Sequence, residues 1–246
     1  MVVIFSCPKC GKEVNESIMT PIEPALSTEE NVTLLGGGAV RAEILNEALS
    51  FAPKLVAADG GAAKALALGH MPECVVGDFD SLDEKARAQI APERLFHIPE
   101  QDSTDFEKAL MCIAAPVILG VGFTGARIDH ELAVYATLAR FPDRRCVILG
   151  EEDLCFIAPP VFNLPTRPGD RVSLFPMGAV TGRSEGLRWP IEGISFAPDG
   201  RVGTSNIASG EQVTLCFDTP GMMVILSRAM LGTDLIARLL AAPDWG

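Results

Sequence analysis

Between residues 32 and 149 the chain repeats one grammar: a short apolar run, a glycine-rich or acidic turn, then apolar positions at helical spacing. Val32-Thr33-Leu34-Leu35 leads into Gly36-Gly37-Gly38, after which Val40, Ile44, Leu45 and Leu49 recur at helical spacing. Leu55-Val56-Ala57-Ala58 leads into Asp59-Gly60-Gly61 and an Ala-rich helix over about 62–68. Cys74-Val75-Val76 precedes Gly77-Asp78-Phe79-Asp80-Ser81 and a helix near 83–89; Leu95-Phe96-His97-Ile98 precedes Gln101-Asp102-Ser103-Thr104-Asp105 and a helix near 104–114. Val117-Ile118-Leu119 precedes a Gly-rich turn ending in Arg127-Ile128-Asp129-His130 and a helix to about Arg140. Alternation of this kind predicts right-handed βαβ crossovers and a mostly parallel sheet, with all five turns on one sheet edge, where open α/β sheets bind ligands.

After Cys146-Val147-Ile148-Leu149 the pattern changes to short β-type runs at 154–157, 161–164, 171–175, 194–196, 212–217 and 222–227, separated by Pro, Gly, Asn and Asp. The expected fold class is therefore α/β: a mostly parallel sheet domain over 31–152, followed by an all-β sandwich over 153–246 with a short helix in the tail. Residues 1–30, with Pro8, Pro21 and Pro24 and no sustained periodicity, read as an extended or partly disordered extension.

Charge narrows the partners. A formal net charge of −12 argues against a nucleic-acid partner, which needs clustered Lys and Arg. No apolar stretch approaches the roughly twenty residues of a membrane span, and the opening Met1-Val2-Val3-Ile4-Phe5 lacks the basic flank of a signal peptide. A cytoplasmic protein without membrane attachment is expected. Cys74, Cys112, Cys146, Cys155 and Cys216 stand singly in apolar runs and read as core filler, whereas Cys7-Pro8-Lys9-Cys10 is either half of a zinc knuckle or an incidental pair.

The acidic turns carry the candidate chemistry. Asp78 and Asp80 point the same way in an extended segment and repel unless a cation lies between them, so Asp78, Asp80 and Asp102 are read as a magnesium site. Ser81-Leu82-Asp83-Glu84 and Thr104-Asp105-Phe106-Glu107 both match a capping box, which assigns Ser81, Glu84 and Glu107 to helix starts and leaves Asp105 near the positive end of a helix dipole. Gly36-Gly37-Gly38 either lets backbone N–H groups meet a phosphate or simply turns, and Asp59 either serves that site or caps a helix. Lys108 either folds back to the acidic loop or a phosphate there, or pairs with Asp105. Arg127 either grips phosphate or braces the loop through Asp129, and His130 reads as a structural donor.

Taken in order, Leu35-Gly36-Gly37-Gly38, Ala58-Asp59-Gly60-Gly61, Gly77 to Ser81, Gln101 to Ala109, Gly125 to His130, Gly186-Leu187-Arg188-Trp189 and Gly203-Thr204-Ser205-Asn206 resemble the thiamine pyrophosphokinase family over about residues 31–228. The resemblance implies transfer of a diphosphoryl group from ATP to the hydroxyl of thiamine, with Mg²⁺, in a homodimer whose active sites lie between subunits. It implies Asp78, Asp80 and Asp102 as metal ligands. Gly37, Asp59, Gln101, Thr104, Asp105, Lys108, Arg127 and Asp129 would then surround ATP, and Ser205 and Asn206 would face thiamine. Asp78, Asp80, Asp102 and Asp105 form the catalytic group, with Asp102 or Asp80 as base. Some relatives place a Trp for stacking near the last strand, where this chain reads Pro220-Gly221-Met222-Met223. The rival readings are a diphosphokinase for another small alcohol, such as a hydroxymethylpterin, and a non-catalytic nucleotide- or thiamine-binding regulator.

Overall fold

A computed structural model describes residues 4–6, 13–15, 24–99 and 102–245. The Cys7/Cys10 question and the Gln101 assignment lie outside the described residues. The strands in chain order are β1 (Ile4–Ser6), β2 (Glu13–Asn15), β3 (Leu26–Ser27), β4 (Val32–Leu35), β5 (Lys54–Ala58), β6 (Cys74–Gly77), β7 (Leu95–His97), β8 (Ile113–Ala114), β9 (Ile118–Val121) and β10 (Cys146–Leu149). The helices among them are α1 (Ala42–Phe51), α2 (Gly61–Ala67), α3 (Glu84–Arg87), α4 (Asp105–Cys112) and α5 (Ile128–Arg140). Then follow β11 (Asp153–Ile157), β12 (Val161–Pro165), β13 (Val172–Pro176), β14 (Gly182–Glu185), β15 (Gln212–Phe217), β16 (Met222–Ser227) and α6 (Thr233–Ala241).

One nine-stranded sheet runs through the molecule in the order β13-β16-β11-β10-β9-β4-β5-β6-β7. From β10 to β7 its pairings are parallel, as the βαβ grammar requires, and β4, β6, β9 and β10 are buried at every residue. After the turn at 150–152 the chain doubles back. β11 pairs antiparallel with β10, and β16 and β13 continue the same sheet. The α/β and β halves are thus joined by a shared sheet. The β half becomes a sandwich because β12, β15 and β14 form a second, three-stranded sheet whose Phe162, Leu164, Val213 and Leu215 share one core with Phe156, Leu174, Val224 and Leu226 of the large sheet.

Three local expectations change. The part of the N-terminal extension at 26–27 pairs in parallel with Ile113–Ala114, so the fold begins before residue 31. The run at 194–196 forms no strand, only isolated bridges from Phe196 to Val180 and to Arg201, while the polar Gly182–Glu185 does form one. The cap of α3 is Asp83, whose carboxylate accepts the Ala86 N–H at 2.6 Å; Ser81 instead donates its hydroxyl to Asp80 and its N–H to Asp59. Thr104 does cap α4, accepting from Glu107 N–H at 3.3 Å, but the Glu107 carboxylate is taken by Arg140 at 2.5 Å.

Candidate active site

The sheet order reverses between β4 and β9: the chain runs outward from β4 through β5 and β6 to β7, then returns to the other side of β4. At such a switch point the loops on the carboxyl edge diverge and leave a crevice. Here a cleft of about 590 Å³ opens, lined from all five loops. Gly37 and Gly38 follow β4, Asp59 and Gly60 follow β5, Asp78, Asp80 and Ser81 follow β6, Ser103 to Phe106 and Lys108 enter α4, and Gly122, Phe123, Ala126, Arg127 and His130 lead into α5. Two of the walls are held together by backbone, since Gly38 N–H donates to Gly122 O at 2.8 Å. A Cβ on Gly38 would meet that oxygen at 2.5 Å.

The floor of the cleft is a carboxylate cluster. Asp59, Asp78 and Asp105 each place an oxygen within 4.8 Å of the others. Asp59 gets there because β5 and β6 are neighbours and the facing residue is Gly77, where a Cβ would lie 2.9 Å from that of Asp59. Its backbone is in the left-handed region, φ 39°, as is Phe79 at 65° beside Asp78. Such strain in non-glycine residues collects at functional sites.

Asp59 is 1% exposed, and although Oδ2 accepts the Ser81 N–H at 3.2 Å, Oδ1 is buried with no hydrogen-bond partner. Burial pushes its carboxyl above the usual range, with Asp80 and Asp78 adding repulsion; burial and then Asp59 and Asp78 do the same to Asp105. Asp78 moves the other way, because the Lys108 ammonium donates to it at 3.0 Å. Lys108 is itself buried, so this is an internal ion pair rather than a surface one, and it faces Asp78 rather than Asp105. One ammonium against three carboxylates leaves the cluster short of positive charge. An orphaned buried oxygen and three hard oxygen donors are the ligand set a divalent cation such as Mg²⁺ takes.

Of the residues selected from sequence, the structure brings Gly37, Asp59, Asp78, Asp80, Thr104, Asp105, Lys108 and Arg127 to the cleft. Asp80 lies on its exposed rim, and Asp102 is exposed and not among the lining residues. Arg127 and Asp129 form an exposed two-point pair, at 2.6 and 3.2 Å, with Arg127 in the cleft lining. Ser205 and Asn206 lie away from the cleft lining. Ser205 is left-handed at φ 61°, and the buried Asn206 amide is spent on Trp189, donating to its carbonyl at 2.7 Å and accepting its N–H at 3.2 Å. Sequence reasoning did not single out the apolar walls Phe106 and Phe123, which meet edge to face at 4.8 Å.

A switch-point cleft with glycine loops, a carboxylate floor, a buried lysine and an arginine at the mouth defines a protein that handles phosphate groups with a divalent cation. The comparisons specify which. Residues 45–149 match the family model "Thiamin pyrophosphokinase, catalytic domain" and residues 161–221 match "Thiamin pyrophosphokinase, vitamin B1 binding domain". The chain belongs to the thiamine pyrophosphokinase family. It is 27% identical over 218 residues to thiamine pyrophosphokinase 1 of Oryza sativa subsp. japonica, covering 72% of this chain and 83% of that one. Thiamine pyrophosphokinase 3 of the same plant is 28% identical over 227 residues, covering 74% and 85%. The fold is shared with thiamin pyrophosphokinase from Candida albicans, at TM-score 0.70, 16% identity and coverage of 92% and 99%. It is shared too with that from Geobacillus thermodenitrificans, at TM-score 0.66, 22% identity and coverage of 83% and 99%.

Proposed function

We propose that this chain is a thiamine diphosphokinase, moving the diphosphoryl group of ATP to the hydroxyl of thiamine and releasing AMP. The observation that carries the reading is the Asp59–Asp78–Asp105 cluster with its buried, unpartnered oxygen, set in a cleft of the size that suits a nucleotide. In the proposal these three carboxylates hold Mg²⁺, with Asp80 at the rim, which shifts the metal set away from Asp102 and adds Asp59 and Asp105. When bound there, the ion neutralises charge on phosphate oxygens.

The chain's own residues supply the rest. Lys108 holds Asp78 in its ionised form. Gly37 leaves room for backbone approach to phosphate while Gly38 ties the loop to Gly122, and Arg127 trades its exposed partner Asp129 for a phosphate oxygen. Phosphoryl-group transfer demands mainly such positioning and charge neutralisation. The attacking hydroxyl must lose a proton, and of the two carboxylates offered by the sequence Asp80 lines the cleft, so the proposal places proton removal there.

The site is also proposed to be completed by a second copy. Ser205 lies off the cleft of its own chain, and Ile128 and Leu132, one turn apart on α5 beside Arg127, are 75% and 59% exposed. Sedimentation should give twice the 26.2 kDa chain mass, and a monomer that is fully active would sink this part. A reducing compartment, the cytoplasm, suits the buried free thiols Cys74, Cys112, Cys146 and Cys155; no helix among the described residues is long and apolar enough to cross a membrane.

Incubation with ATP, Mg²⁺ and thiamine should yield AMP and thiamine diphosphate in equal amounts, with a hydroxymethylpterin leaving ATP intact. Formation of ADP, or binding of both substrates with no turnover under varied metal and pH, would overturn the assignment in favour of another transferase or a binding protein.

A further inference from the structure

The loop between β9 and α5, residues 122–127, carries Gly122, Phe123, Ala126 and Arg127 into the cleft. Its base is fixed to the neighbouring glycine loop, through Gly36 N–H to Val121 O and Gly38 N–H to Gly122 O, both at 2.8 Å. Its outer end is different. Gly125 is left-handed at φ 77°, and a Cβ placed on it would meet nothing within 4 Å. Packing therefore does not hold this end of the loop.

Glu131, one turn into α5, reaches back over it. Oε2 accepts the Gly125 N–H at 2.9 Å, and Oε1 accepts the Tyr135 hydroxyl at 2.7 Å a further turn along the helix. Burial and the nearby Glu131 push the Tyr135 phenol far above its ordinary value, so it stays a donor throughout the working range of pH. Both carboxylate oxygens are thereby committed, one to the loop and one to the helix. Arg127, two residues past Gly125, caps α5 through its backbone only, and the partner of its side chain is Asp129, which travels with it. An exposed pair inside one loop cannot fix where that loop sits.

We infer that Glu131 is a positioning residue for ATP: by tying Gly125 to Tyr135 it sets the loop that presents Arg127 to the phosphates. The inference rests on the cleft being the ATP site. Loss of one net hydrogen bond at an exposed loop corresponds to about a five- to tenfold change in an equilibrium constant. Glu131→Ala should weaken binding of a non-hydrolysable ATP analogue with Mg²⁺, and raise KM for ATP, by about five- to tenfold, with kcat within about twofold. Glu131→Gln should restore wild-type values, since its carbonyl oxygen accepts from Gly125 and its NH₂ donates to the Tyr135 oxygen. Tyr135→Phe, which removes only the helix anchor, should weaken binding by a smaller factor and serves if the Ala variant does not fold.

Equal binding by wild type, Glu131→Ala and Tyr135→Phe would overturn the inference, as would a Gln variant no better than Ala. Failure of the wild type to bind the analogue would instead remove the reading of the cleft itself.

Discussion

Asp59→Asn should abolish diphosphoryl transfer while making the metal-free protein more stable, and the two effects have one cause. Asp59 keeps an ionisable oxygen buried without a partner, within 4.8 Å of two other carboxylates. Without a cation that arrangement is unfavourable, because desolvation and like charge both oppose ionisation. The neutral amide removes the repulsion and with it the ligand. We expect at least a thousandfold loss of kcat, and a rise of a few degrees in metal-free Tm, given that about 1 kcal/mol moves a domain of this size by roughly 2–4 °C.

The pH dependence follows with a definite sign. Asp59 and Asp105 are raised in the folded state, so their contribution to stability is full below the ordinary carboxylate value of about 3.9 and is lost as pH rises through their folded values. Asp78, lowered by Lys108, contributes stability above the ordinary value and loses it as pH falls. Metal-free wild type should therefore lose stability relative to Asp59→Asn as pH rises from about 4 towards neutrality. Parallel Tm-versus-pH curves for the two proteins would remove this electrostatic account.

Lys108→Met should do the opposite to stability. The lysine side chain is 2% exposed and its partner Asp78 16%, so the substitution leaves three clustered carboxylates with no internal counter-charge. Breaking a buried pair by deleting one partner costs about 3–5 kcal/mol, and because Asp78 opens to the cleft the lower end applies, about 3 kcal/mol in metal-free urea unfolding. Activity should fall at least a hundredfold. Combining Lys108→Met with Asp59→Asn should recover part of the stability but none of the activity. A Lys108→Met protein within about 0.5 kcal/mol of wild type would show that the pair is not holding the cluster together.

Much of this was readable in the sequence, and the reasons differ by region. Strands β4, β6, β9 and β10 are buried on both faces and so stand out as continuous apolar runs, while the loops after them were legible as one sheet edge because right-handed crossovers allow little else. Periodicity says nothing about which sheet a strand joins. Hence the continuation of the parallel sheet through β11, β16 and β13 was not visible, nor was β14, whose Gly-Arg-Ser-Glu carries no apolar alternation because it is mostly exposed at the edge of the small sheet. Asp102 read as the companion of Asp78 because a capping box explains Asp105 and not Asp102. In the structure Thr104 caps α4, Asp105 lies partly buried in the cleft, and Asp102 is exposed before the turn. Asp59 read as a nucleotide contact or a helix cap, but its place beside Asp78 was not legible, since it depends on Gly77, eighteen positions away along the chain but adjacent across the β5–β6 pair. Ser81 matched a capping pattern that Asp83 fills, which freed it to hold Asp59 and Asp80.

The central claim is that Asp59, Asp78 and Asp105 together bind the divalent ion that transfer requires. Calorimetric titration of Mg²⁺ into wild type and Asp59→Asn, each saturated with a non-hydrolysable ATP analogue, tests it most directly. The account predicts stoichiometric binding by wild type and at least a hundredfold weaker binding by the variant; equal Mg²⁺ affinity in the two proteins would contradict it.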